Sequence, residues 1–196
     1  MDKTQLRELI QVVLKEYDLY SRDAEELLML TAAVESNLGY YIKQVGGGPA
    51  LGIFQCEPDT LDWVKKQTEI MSDKKYIKFE VLCFKNKKSA SAILLGKESG
   101  KGIERSSEMK QYNKWYQLKL GIKAFKKSCF CSTDFMLDLK VQILSARLVY
   151  YFKTPKAIPN HNDVQGLAEY WKKYYNSVLG AGTVEGAIEK YNKYVK

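Results

Sequence analysis

The sequence predicts a mainly α-helical domain with at most a small β element. Three observations predict it. Apolar residues recur at helical spacing over several stretches. Residues suited to capping precede most of them. The one short stretch that reads as a strand is Phe79–Phe84. A chain of 196 residues, 45% hydrophobic and 28% charged, has the length and composition of one globular domain with a sizeable core.

The first helix is expected to run from a cap at Asp2, supported by Gln5, to about Tyr17. It sets Leu6, Leu9, Ile10, Val13 and Tyr17 on one face. Ser21 is a good N-cap for a second helix, whose first turn carries Asp23, Glu25 and Glu26. Leu27 to Val34 make its later turns apolar nearly all round, the pattern of a buried helix. Gly39 suits its C-terminal stop. Gly46-Gly47-Gly48-Pro49 reads as a loop open to unusual backbone angles. Pro58 suits the first turn of a third helix reaching about Gln67.

Residues 72–127 are less regular and read as a basic insertion, with an exposed loop over Gly96–Ser107. They hold 15 Lys/Arg against 5 Asp/Glu, a balance of +10 within a net charge of +8. Such a surface is either solvated or attracted to a polyanion. Tyr76, Phe79, Trp115 and Tyr116 lie there without a nucleic-acid motif, so nucleic acid is the weaker partner. One long helix is then expected from Thr133 to Phe152, with Phe135, Leu139, Ile143, Ala146 and Tyr150 inward. Two more follow, near 163–178 and, capped by Thr183, near 183–195.

Several classes are disfavoured. No apolar run approaches the ~18–20 residues of a membrane span. Residues 1–20 alternate charged and apolar positions and do not read as a secretory signal, which predicts synthesis in a cytoplasm. Cys56, Cys83, Cys129 and Cys131 are then expected as reduced thiols. One histidine, His161, is too few for Ser-His-Asp or Cys-His chemistry, and zinc spacing is missing, so no metal or cofactor is expected.

Glu35 carries the chemistry. It falls in the last turn of the apolar second helix, sharing a face with Leu28 and Thr31. Burial and the negative helix end both raise a carboxyl pKa, which suits an acid that stays protonated near neutrality.

Glu-Ser-x-x-Gly at 35–39, followed by Gly-Ile-Phe-Gln at 52–55, resembles the Glu-Ser and Gly-Leu-Met-Gln motifs of the lysozyme-like superfamily. The likeness is closest to soluble lytic transglycosylases and goose-type lysozymes. The run G-G-G-P-A-L-G-I-F-Q-x-E-P-x-T also looks like that of phage proteins bearing this domain. So do D-L-K-V-Q-I-L-S-A-R-L-V-Y-Y and L-A-E-Y-W-K-K-Y-Y-N-S. The resemblance covers residues 20–65 and 133–195 and leaves 72–127 unmatched. It implies a lysozyme-like α+β fold and a muramidase that cuts peptidoglycan glycan strands without a cofactor. A phage virion enzyme or an endolysin is implied, with other virion proteins as partners.

By resemblance, Glu35 is the catalytic acid, Ser36 holds substrate or acid, and Gln55 lines the cleft. Phe54 stands for the usual methionine. Glu57 takes the place of an aspartate of goose-type lysozymes, or merely caps the third helix beside Pro58. Tyr191-Asn192 resembles a Tyr-Asn motif, although Tyr191 also fits the inward face of its helix. From the residues themselves, Tyr40 and Tyr41 are candidates for sugar stacking. Gln142 and Arg147 could contact substrate, orient Glu35 or satisfy the core. Two other classes stay open: a virion structural protein with a lysozyme-like scaffold and no activity, and a basic nucleic-acid-binding protein.

Overall fold

The computed structural model describes residues 1–68, 132–154, 156–176 and 180–196. The basic insertion, the strand at Phe79–Phe84, the loop over Gly96–Ser107, the aromatics Tyr76, Phe79, Trp115 and Tyr116, and Cys83, Cys129 and Cys131 lie outside the described residues.

The described chain is mainly helical, as predicted, and holds no sheet. Helix α1 is Lys3–Glu16, and the Asp2 carboxylate caps it by accepting from the N–H groups of Thr4 and Gln5. Helix α2 is Arg22–Ser36, with the Ser21 hydroxyl accepting from Ala24 N–H. Residues 58–68 form α3. Ser132–Leu137 and Leu139–Lys153 are α4 and α5. Val164–Trp171 is α6, continued by a π-helical turn at Lys172–Asn176. Val184–Tyr194 is α7, capped by Thr183 as expected.

Three expectations need correction. The single helix over Thr133–Phe152 is two. Asp138 breaks it by turning its carboxylate to Val141 N–H and capping α5, which leaves Leu137 76% exposed. The helix expected through 178 ends its α-helical part at Trp171. The left-handed turn that ends α2 begins at Asn37, with Leu38 and Gly39 continuing it at φ 53°, 57° and 75°. Asparagine tolerates that conformation; at Gly39 a Cβ would also strike Ile53.

Helix α2 lies at the centre of the core, packed by α1, α5, α6 and α7. Its residues from Ala24 to Ala33 are buried on every side. The Thr31 hydroxyl donates to the Leu27 carbonyl and stands 2.7 Å from the Tyr150 hydroxyl, joining α2 to α5. Between α2 and α3 the chain doubles back in two isolated antiparallel bridges, Lys43 with Leu51 and Leu51 with Cys56.

Candidate active site

The end of α2 and the loop before α3 are tied into one unit, and that unit places Glu35. Ser36 is fully buried. Its hydroxyl donates to the Ile53 carbonyl at 2.6 Å and accepts from Gly39 N–H at 2.8 Å. Gln142, also fully buried, reaches over from α5. Its Oε1 accepts from Ile53 N–H at 2.7 Å, and its Nε2 donates to the carbonyls of Phe135 and Met136. Gly52, at φ 76°, is the residue that lets Gln142 in, since a Cβ there would collide with the amide. Phe54 fills the core behind the loop, and Gln55 turns forward at φ 46°.

The unit forms one wall of a cleft of about 460 Å³. Tyr41, Gln44, Val45, Gln55, Cys56 and Glu57 line that wall. Trp171, Tyr175, Asn176 and Lys190 line the other, with Glu35 between them. The Trp171 indole N–H donates to Glu35 Oε1 at 2.9 Å, and the ring is only 1% exposed. Burial raises the Glu35 carboxyl to about 7, while the Trp171 donor and the Lys190 charge pull the other way. Desolvation wins because one donor and one cation replace less than the water that a carboxylate loses.

Two further neighbours, Cys56 and Tyr175, are neutral. Burial pushes the Cys56 thiol up to about 12 and holds the Tyr175 phenol well above its ordinary value. The Tyr175 hydroxyl donates to the Phe54 carbonyl at 2.9 Å and lies 3.0 Å from Cys56 Sγ, where the protonated thiol can donate to it. Glu57 is exposed at the cleft. Its carbonyl accepts from Leu61 N–H, so it occupies the N-cap position of α3, and the residue also lines the cleft.

Of the ten candidate residues, Glu35, Glu57, Tyr41 and Gln55 meet in the cleft. The other six do not line it. Ser36, Phe54 and Gln142 shape the wall from behind, as buried groups satisfied by protein. Tyr40 points into solvent, 85% exposed. Arg147 donates to the Leu19 carbonyl and lies over the Tyr151 ring. Tyr191 is buried away from the cleft, its hydroxyl donating to Glu26 at 2.6 Å. His161 is a loop residue: its backbone N–H and ring Nδ1 both meet Asp23.

Trp171, Tyr175, Asn176 and Lys190 line the cleft without being among the candidates read from the sequence. Two signals were available. The chain has three Tyr-Asn pairs, of which Tyr112-Asn113 lies outside the described residues, and the structure puts Tyr175-Asn176, not Tyr191-Asn192, in the cleft. A second signal is that a buried tryptophan N–H needs an acceptor. Among the described residues, no three His, Cys, Asp or Glu side chains are grouped to hold a metal ion, and no helix is long and apolar enough to cross a membrane.

No protein-family model, curated protein or solved structure matches this chain. Its function is therefore read from the cleft and its motifs.

Proposed function

We propose that the chain is a peptidoglycan-cleaving muramidase of the lytic transglycosylase type, acting on the β-1,4 bond between N-acetylmuramic acid and N-acetylglucosamine. The observation that carries this reading is Glu35: a carboxylic acid raised to about 7, facing a cleft of ~460 Å³ and held at one oxygen by Trp171. An acid with that proton affinity is still about half protonated at neutral pH and yet gives its proton up readily.

In this mechanism Glu35 donates its proton to the bridging oxygen as the bond from the muramic C1 breaks. The substrate's N-acetyl group assists at C1. The Glu35 carboxylate then takes the proton of the muramic 6-hydroxyl as that oxygen bonds to C1, closing a 1,6-anhydro ring. Tyr41 offers a ring face and a hydroxyl for sugars, and Gln55 and Asn176 offer amides. The basic segment 72–127 would draw the enzyme to an anionic wall. By its resemblance the chain is read as a phage virion enzyme or an endolysin.

The presence of Glu57 in the same cleft supports a second reading, hydrolysis. A carboxylate on the far side of the sugar, about 6.5–9.5 Å from the acid, could activate water and invert the anomeric centre. Mass spectrometry of purified peptidoglycan after digestion decides between the two. Anhydro-muropeptides, produced equally by Glu57→Gln, are the expected products. Reducing muramic ends that vanish in Glu57→Gln would make the protein a lysozyme. A wall left intact, while a control muramidase opens it, would reject both.

A further inference from the structure

Helix α7 packs along α2 and brings Lys190 to the end that carries Glu35. The last carbonyls of a helix lack partners within it. Three of those at the end of α2 are met by nearby backbone: Ala32 O accepts from Leu38 N–H, Ala33 O from Asn37 N–H and Ser36 O from Tyr40 N–H. Val34 O is met from outside. Lys190 Nζ donates to it at 2.6 Å, so a cation from another helix caps the turn that holds Glu35. The neighbouring Tyr191 fixes that register by anchoring α7 to Glu26. Lys190 also lines the cleft.

We propose that Lys190 is a positioning residue for the Glu35 acid: it clamps the last turn of α2 through Val34 and so brings its ammonium to the end of the helix that carries the carboxyl. The proposal rests on the reading of Glu35 as the acid and adds the group that sets its strength.

Among the described residues, the groups that face Glu35 from the elements around it leave Lys190 as the charge that acts on it. Trp171 from α6 donates a neutral N–H. Tyr41, Cys56, Tyr150 and Tyr175, from the loops, α5 and the π-helical turn, are uncharged, because burial raises each of them above its ordinary value. Glu57 and Lys153 line the same cleft. The Lys190 charge opposes the burial of Glu35, so it makes the acid stronger and stabilises the carboxylate left after proton transfer.

Carbon-13 NMR titration of the Glu35 side chain in the full chain tests this without a substrate. Lys190→Met removes both charge and tether. Lys190→Gln keeps an N–H donor for Val34 but no charge, and Lys190→Arg keeps the charge. The expected result is a midpoint that moves up by ~1 unit in both neutral variants, the low end of the effect of one nearby opposite charge. In Lys190→Arg it stays within a few tenths of wild type. Midpoints unchanged in Met and Gln overturn the proposal. So does a shift in Met that Gln abolishes, since that assigns the effect to the tether alone. A wild-type chain that cleaves no peptidoglycan would defeat the functional reading instead, and the titration would still decide the role of Lys190.

Discussion

Glu35 binds its proton more tightly in the folded chain than in the unfolded one, and this costs stability. Its folded value is about 7, against about 4.5 for the ordinary side chain. Between those values the folded state holds the proton and the unfolded state releases it, so stability falls as pH rises through that window. The loss is roughly 3 kcal/mol at most. A neutral glutamine can still accept from Trp171 and carries no such penalty. Glu35→Gln is therefore expected to melt higher than wild type at pH 8, with the difference fading towards pH 4.5. Calorimetry across that range checks it, and a difference independent of pH would show that Glu35 is not held protonated.

At the scale of elements, Gln142 joins α5, α4 and the loop before α3. Gln142→Leu fits the space but strands the Ile53 N–H and two carbonyls in the interior. A loss of about 2–4 kcal/mol is expected. The urea midpoint measures it, and activity should fall further than stability alone explains, because Gln55 and Cys56 lose their frame. Gln142 was visible in the sequence only as a polar residue on an apolar helix face. Its partners lie 89 residues before it and in the preceding short helix. The same separation hid Trp171, which reaches Glu35 across 136 residues of sequence. By contrast, Asp2, Ser21 and Thr183 were legible as caps because the N–H groups that they serve are three residues away or fewer. Asp138 follows the same local chemistry, yet the apolar periodicity on both sides of it concealed the break.

For the molecule as a whole, one network closes the helical core. Arg7 of α1 pairs with Glu25 and Glu26 of α2 at 2.7 and 2.6 Å, and Tyr191 of α7 donates to Glu26. Arg7→Met would leave two buried carboxylates side by side without a counterion. The Arg7 side chain is 31% exposed, so the loss is expected at roughly 2–3 kcal/mol, below that of a fully buried pair. Although burial opposes it, the Arg7 and Tyr191 bonds hold Glu26 below its ordinary value. That stabilisation is present above about 4.5 and is lost as pH falls through the lower folded value. Urea unfolding should thus separate the two proteins at neutral pH and bring them together in acid. A gap unchanged in acid would mean that the carboxylates are not what Arg7 holds. Glu35 and Glu26 act in opposite senses, so together they favour stability in mildly acid conditions.

The most direct test is the release of soluble fragments from purified peptidoglycan by wild type and by Glu35→Gln, from pH 4 to 9. Wild type should cleave, with a rate that declines as pH rises past about 7, where the acid loses its proton. Glu35→Gln should fold, bind the wall and release nothing. Equal release by the two proteins, or none by wild type from a wall that a control muramidase opens, would contradict the assignment of Glu35 as the acid of a peptidoglycan-cleaving enzyme.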